Sequence, residues 1–258
     1  MRKISLAVLS FAVLSCWNSN ITSANQPTDS IDVEIPIKAL LTPYTGYEEK
    51  NTVEAVLYGT LPSSCYTLGS YRTEQNDSNH TITVRQFATR QITGVCADET
   101  RMPEHLKMSV PFTSEVHVGN LPAGDYKFIF NKMDGKQGLR MMNVAPNQTL
   151  TVDSLPYALI SGVSAPDVVN GKDDLLVKIS GVLNSSCTKL DDKVQVTSQD
   201  DVSVLLPTVS IKPGVVCAQA LIPFEKQVNL GKTESGVHLI HARSMNGRAV
   251  NKVIQVSN

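Results

Sequence analysis

Two stretches of this chain repeat each other in register, and each carries one pair of cysteines. Gly59-Thr60-Leu61-Pro62-Ser63-Ser64-Cys65 is matched by Gly181-Val182-Leu183-Asn184-Ser185-Ser186-Cys187, and Leu68 and Leu190 follow each cysteine at the same offset. The second cysteines, Cys96 and Cys217, come 31 and 30 residues later. Beyond them Pro111-Phe112, Val116, Gly119 and Gly124 recur as Pro223-Phe224, Val228, Gly231 and Gly236. A period of roughly 110–120 residues is the size of a domain, not of a solenoid unit. Whatever the first half folds into, the second must fold into as well.

The local pattern says what that fold is. Short alternating runs dominate: 53–58, 81–84 and 126–130 in the first half, and 176–179, 193–196 and 202–205 in the second. Period two at this spacing marks half-buried strands of a sandwich or barrel, and no dozen residues show helical periodicity. Asp134-Gly135 and Asn246-Gly247 sit at matching places between apolar runs and read as hairpin turns. The expectation is an all-β chain of two tandem immunoglobulin-like β-sandwich domains, residues 30–150 and 155–258, related by internal duplication, with about seven strands each. The usual immunoglobulin tryptophan is missing, since Trp17 lies near the N-terminus, so the likeness is one of architecture.

The N-terminus points to export. Met1-Arg2-Lys3 precedes an apolar run at residues 4–14, and small polar residues follow, which is the layout of a signal peptide. That run falls short of the roughly 20 residues that span a bilayer. Two cleavage readings stand: residues 1–24 removed after Thr22-Ser23-Ala24, or residues 1–15 removed at Val13-Leu14-Ser15-Cys16, which resembles a lipobox and would leave Cys16 lipidated. Either way four cysteines remain. In an exported chain they read as two disulfides, and a unit that was copied must close on itself, so Cys65 pairs with Cys96 and Cys187 with Cys217. Loops of this length contribute about 3–4 kcal/mol each in the chain-entropy treatment.

Composition narrows the partners. A net charge of -1 with no basic stripe gives no reason to expect nucleic acid or an anionic membrane surface. His80, His105, His117, His238 and His241 form no metal-ligand spacing; His238 and His241, three apart on one strand, point to opposite faces, one partly buried and one solvated. Met141-Met142 reads as strand packing, and Ser63-Ser64 and Ser185-Ser186 as turn residues. No enzyme, no cofactor and no metal are expected.

Two segments stand out as candidate sites. From Cys96 to Pro111 is fifteen residues, but from Cys217 to Pro223 only six. The extra loop, with Asp98, Glu99, Arg101, Glu104, His105 and Lys107, is either a tolerated surface insertion or a partner-binding element. The junction at 164–174 carries Asp167, Asn170, Asp173 and Asp174, a weak calcium candidate beside the reading as a plain linker.

The pattern Gly-x-Leu-Pro-x-x-Cys at Gly59–Cys65, then Cys96, Pro111-Phe112 and Gly124-Asp125-Tyr126, resembles disulfide-containing β-sandwich modules of bacterial envelope and secreted proteins; the second half departs at Asn184 and Val237. The resemblance implies a secreted or lipid-anchored binding or structural module. A second resemblance belongs to another class: Thr42-Pro43-Tyr44-Thr45-Gly46-Tyr47 is similar to the Asn-Pro-Thr-Thr-Gly-Tyr loop of chagasin-type cysteine-peptidase inhibitors, whose other two loops have no counterpart in this chain. The functional expectation is a non-catalytic module of the bacterial envelope, in the periplasm, on the outer membrane as a lipoprotein, or at the surface. It would associate with another envelope or extracellular protein and touch the membrane only through an N-terminal lipid. A peptidase inhibitor or a calcium-rigidified adhesion module is the alternative.

Overall fold

The computed structural model describes residues 29–147 and 155–258. The segment expected to be a signal peptide, Cys16 and Trp17 lie outside them. Among the described residues regular structure is almost wholly strand, and no helix is long and apolar enough to cross a membrane.

The first domain runs from β1 (Ser30–Ile35) through β2 (Ile37–Leu41), β3 (Tyr47–Glu48), β4 (Thr52–Leu61), β5 (Tyr66–Asn76), β6 (Thr81–Gln91), β7 (Val110–Asn120) and β8 (Gly124–Asn131) to β9 (Gln137–Ala145). β2, β4 and β7 form one sheet; β5, β6, β8, β9 and β3 form the other, with β1 paired to the far half of β6. Alternation along each strand fills the space between the sheets. On β6 the residues Ile82, Val84, Gln86 and Ala88 all point inward and are completely buried. The polar member of that row closes a gap in the ladder, because β5 bulges between Leu68 and Tyr71. There the Gln86 side-chain amide donates to the carbonyls of Gly69 and Ser70, at 2.9 and 3.2 Å. The amide N–H groups are satisfied there, while Gln86 Oε1 is buried without a hydrogen-bond partner.

The second domain repeats the plan with β10 (Leu159–Ser164), β11 (Val168–Asn170), β12 (Leu176–Ser185), β13 (Thr188–Leu190), β14 (Gln195–Gln199), β15 (Val202–Leu206), β16 (Val209–Ile211), β17 (Gln219–Asn229), β18 (Gly236–Arg243) and β19 (Ala249–Ser257). β10, β12 and β17 form the small sheet, and β14, β15, β18, β19 and β11 the large one. Where β6 carries Gln86, the copy carries Pro207. Lacking an N–H, Pro207 splits the strand into β15 and β16, and the facing strand splits likewise into β13 and β14. The duplication reaches into the lead-in segment: Glu34 pairs with Phe87 in the first domain, and Tyr157 bridges Thr208 in the second. Both sandwiches pack two sheets face to face, yet β6 with β8 and β15 with β18 run parallel, so the connectivity departs from an all-antiparallel immunoglobulin domain.

The shared sequence signature has a packing origin. Gly59 pairs with Phe112 and Gly181 with Phe224; a Cβ at either glycine would stand 2.6 or 3.0 Å from the facing ring. The glycine and the Pro-Phe therefore recur together because one makes room for the other. Both expected hairpins form, β8 with β9 and β18 with β19.

The two domains pack on each other. Leu41 and Val56, on the outer face of the small sheet of the first domain, are buried against Val202 and Leu239 on the outer face of the large sheet of the second.

Candidate functional site

The copies differ most at their disulfide ends. Both pairings form as the duplication requires, Cys65 with Cys96 and Cys187 with Cys217. In the first domain the inserted loop folds down over the bond. Its short 3-10 turn at Glu104–Leu106 brings the Leu106 carbonyl to Ser64, whose backbone N–H and hydroxyl both donate to it at 3.0 Å. Met102 is buried with its Sδ 3.4 Å from Cys65 Sγ, and Leu106 packs beside it. Glu99 anchors the loop from outside, taking a hydrogen bond from the Tyr66 hydroxyl at 3.0 Å and facing Arg90 at 3.1 Å. The cysteines beneath are 2 and 6% exposed.

Four of the remaining candidate loop residues pair among themselves. Arg101 meets Asp98 at 3.3 Å, Lys107 meets Glu104 at 2.7 Å, and His105 is exposed. The Asp98 carboxyl is held below its ordinary range by hydrogen bonds from the Thr100 hydroxyl and N–H. This loop is thus a lid on its own domain whose outer rim carries balanced charge.

The second domain has no such lid. Residues 211–219 are exposed throughout, Cys217 included, while Cys187 is half-buried. Ile211 is 65% exposed, Leu221 75%, and Val216 fully, with Val215 and Ile222 beside them in the chain. On the outer face of the small sheet Leu159, Val182 and Pro223 stand side by side in register, and Leu221, two residues before Pro223, extends the row. Clustered exposed side chains of this kind mark contact surfaces more often than scattered single ones do.

The seam between the domains is the other concentration of unusual groups. Arg140 donates to Asp201 at 2.7 Å and to the Thr42 carbonyl at 3.1 Å. Arg243 donates to the Gly46 carbonyl and lies 5.0 Å from the centre of the Tyr47 ring. His241 Nδ1–H donates to Asn251 Oδ1 at 2.8 Å, and the Asn251 amide donates to Glu115 across the seam at 3.0 Å. Burial first, and the Arg243 charge second, push the His241 imidazole down to about 3. At the rim Lys50, Glu54, Glu115, His117 and Arg248 line a polar cleft of about 480 Å³. Burial raises the Glu54 carboxyl, an effect opposed by His117 at 3.4 Å. The ion pair inside this cleft, His117 with Glu54, lies within the first domain, and Glu115 is the cleft residue that takes a bond across the seam, from Asn251.

The other candidates fall apart in space or into packing. Asp167 pairs with Lys252, the Asn170 side chain accepts from the Lys172 N–H, and Asp174 accepts from Asn229; among the described residues no three His, Cys, Asp or Glu side chains gather as a metal site. Asp173 adds only a backbone turn to Asn170. Of the inhibitor-like segment, Thr42, Pro43 and Tyr47 are buried and Gly46 is covered by Arg243, which leaves Tyr44 and Thr45 outside. Met142 is core. His238 and His241 do take opposite faces, but neither is solvated, where one of the two was expected to be: His238 bonds Ser203 inside the sandwich at 3.0 Å, and the first domain covers His241. The missed signal was that β18 is apolar on both faces, with Val237 and Leu239 alternating against Ile240 and Ala242, the mark of a strand covered twice.

No curated protein and no solved structure matches the chain. The model of the ORF11 beta-sandwich domain matches it twice, over residues 55–138 and 177–256, which are the bodies of the two copies. The matched segments cover more than half of the chain, which belongs to the ORF11 beta-sandwich domain family.

Proposed function

We propose that this chain is an exported, non-catalytic module of the bacterial cell envelope, free or lipid-anchored through Cys16, that acts by protein association. Its contact surface is the uncovered disulfide end of the second domain. One observation carries this reading: Ile211, Val215, Val216 and Leu221 are exposed at the place where the first domain devotes a whole loop to cover. Leaving apolar side chains in water forgoes about 25 cal/mol per Å², and a partner surface recovers it. The two disulfides suit an oxidising compartment. The partner is another envelope or extracellular protein with an apolar face.

The test is affinity capture from the native cell with the full chain and with a Val216→Lys/Leu221→Lys variant, the captured partner then being purified and its binding remeasured. Binding by the parent and at least about tenfold weaker binding by the variant supports the reading, since core contacts of an interface commonly carry such losses. Equal binding by both excludes this end. The charged rim of the inserted loop is the rival surface, because Arg101 and Glu104 point outward; Arg101→Glu with Lys107→Glu tests it without disturbing Met102.

A further inference from the structure

We infer that Cys187–Cys217 is a thiol–disulfide exchange site, open to thiol reductants while the chain is folded, and that Cys65–Cys96 is not. The inference is independent of whether a partner docks at that end. Exchange requires a thiolate to approach a sulfur in line with the bond, so access sets the rate between bonds of like chemistry. The two bonds close loops of nearly equal length, with separations of 31 and 30, and sit at equivalent places in one fold. Their surroundings differ. Around the first, Met102 Sδ and Leu106 occupy the approach, and both cysteines are buried. Around the second, Cys217 is exposed in a fully exposed stretch, 211–219.

The geometry also assigns the order of events. Cys187 is half-buried and fixed by its neighbours: its N–H donates to Ser185 Oγ at 3.2 Å, and its carbonyl accepts from the Lys212 N–H at 3.0 Å. Cys217 is therefore the sulfur attacked. A reductant thiolate forms a new S–S bond to Cys217 Sγ, the Cys187–Cys217 bond breaks, and its electron pair leaves on Cys187 as thiolate, which takes a proton from water. With a monothiol such as glutathione the product is a mixed disulfide at Cys217. With a dithiol, the second thiolate attacks the reductant's own sulfur in that mixed disulfide, releases the Cys217 thiolate and leaves the reductant oxidised. The pairings of β15 with β18 and of β13 with β16 do not run through the bond, so its opening leaves the sandwich framework in place.

The experiment exposes the folded full-length protein to graded reduced glutathione, quenches with iodoacetamide and maps peptides by mass. The expected result is glutathione on Cys217 and alkylation on Cys187, at a rate about tenfold or more above any modification of Cys65 or Cys96. Met102→Ala should then speed modification of the first bond and leave the second unchanged, with folding checked by circular dichroism. Equal rates for the two bonds in the parent, or faster reaction at Cys65–Cys96, would overturn the assignment. So would glutathione on Cys187 with Cys217 alkylated.

Discussion

The first domain covers its own disulfide and the second does not, although both bonds join equivalent connections of the same sandwich. The difference is local. Nine residues in the inserted loop bring Met102 and Leu106 onto Cys65–Cys96; without them the equivalent end of the second domain shows Ile211, Val216 and Leu221 to solvent. The second domain is covered elsewhere, since its large sheet has its outer face against the first domain. A duplicated domain has thus been made asymmetric twice, by an added lid on one copy and by a docked neighbour on the other. The lesson is that equal frames need not have equal surfaces, and the unequal surface is where a function can reside.

The largest effect expected lies on the covered face. Leu239→Asp buries a carboxylate between the sheets and should cost more than about 3 kcal/mol in chemical denaturation, whereas Leu221→Asp, on the bare end, should change stability by less than about 0.5 kcal/mol. Similar losses at both would break the comparison. Next come the bonds themselves. Replacing either cysteine pair by alanine removes about 3–4 kcal/mol of loop constraint, and the first pair should cost more because Met102 then faces a cavity, at about 24 cal/mol per Å³. Met102→Ala alone should cost about 2–3 kcal/mol, against no measurable change for Val216→Ala.

The seam gives a pH test. The His241 imidazole is held at about 3 in the folded chain against 6.5 outside it. The unfolded chain therefore takes up the proton first, so this group leaves stability untouched above pH 6.5 and lowers it progressively as pH falls from 6.5 to about 3. The slope is at most about 1.4 kcal/mol per pH unit for one proton. His241→Gln, which cannot protonate, should flatten that limb in urea titrations at about pH 7, 5 and 4; an unchanged limb would mean that other groups set it.

Much of the fold was legible in the sequence because it rests on short-range rules applied twice. Alternation placed the strands, Asp134-Gly135 and Asn246-Gly247 placed the hairpins, and the duplication fixed both disulfide pairings. What was not legible is long-range. Nothing near Met102 in the chain says that it reaches Cys65, and the inserted loop read as a free binding element or a passive insertion, where its role toward its own domain is that of a cover. The expectation that one of His238 and His241 is solvated failed because a strand pattern reports burial against its own sandwich and not against a neighbouring domain. The uncovered end of the second domain was hidden for the opposite reason: it is defined by a loop that is missing, and only the comparison of the two copies reveals it.

The most direct test of the account places a photo-crosslinking residue at position 216 and, in a second protein, at position 101, in the full-length chain in its native cell. The account predicts a discrete crosslinked partner from position 216 and none from position 101. A partner captured from 101 alone, or from neither position, would contradict it.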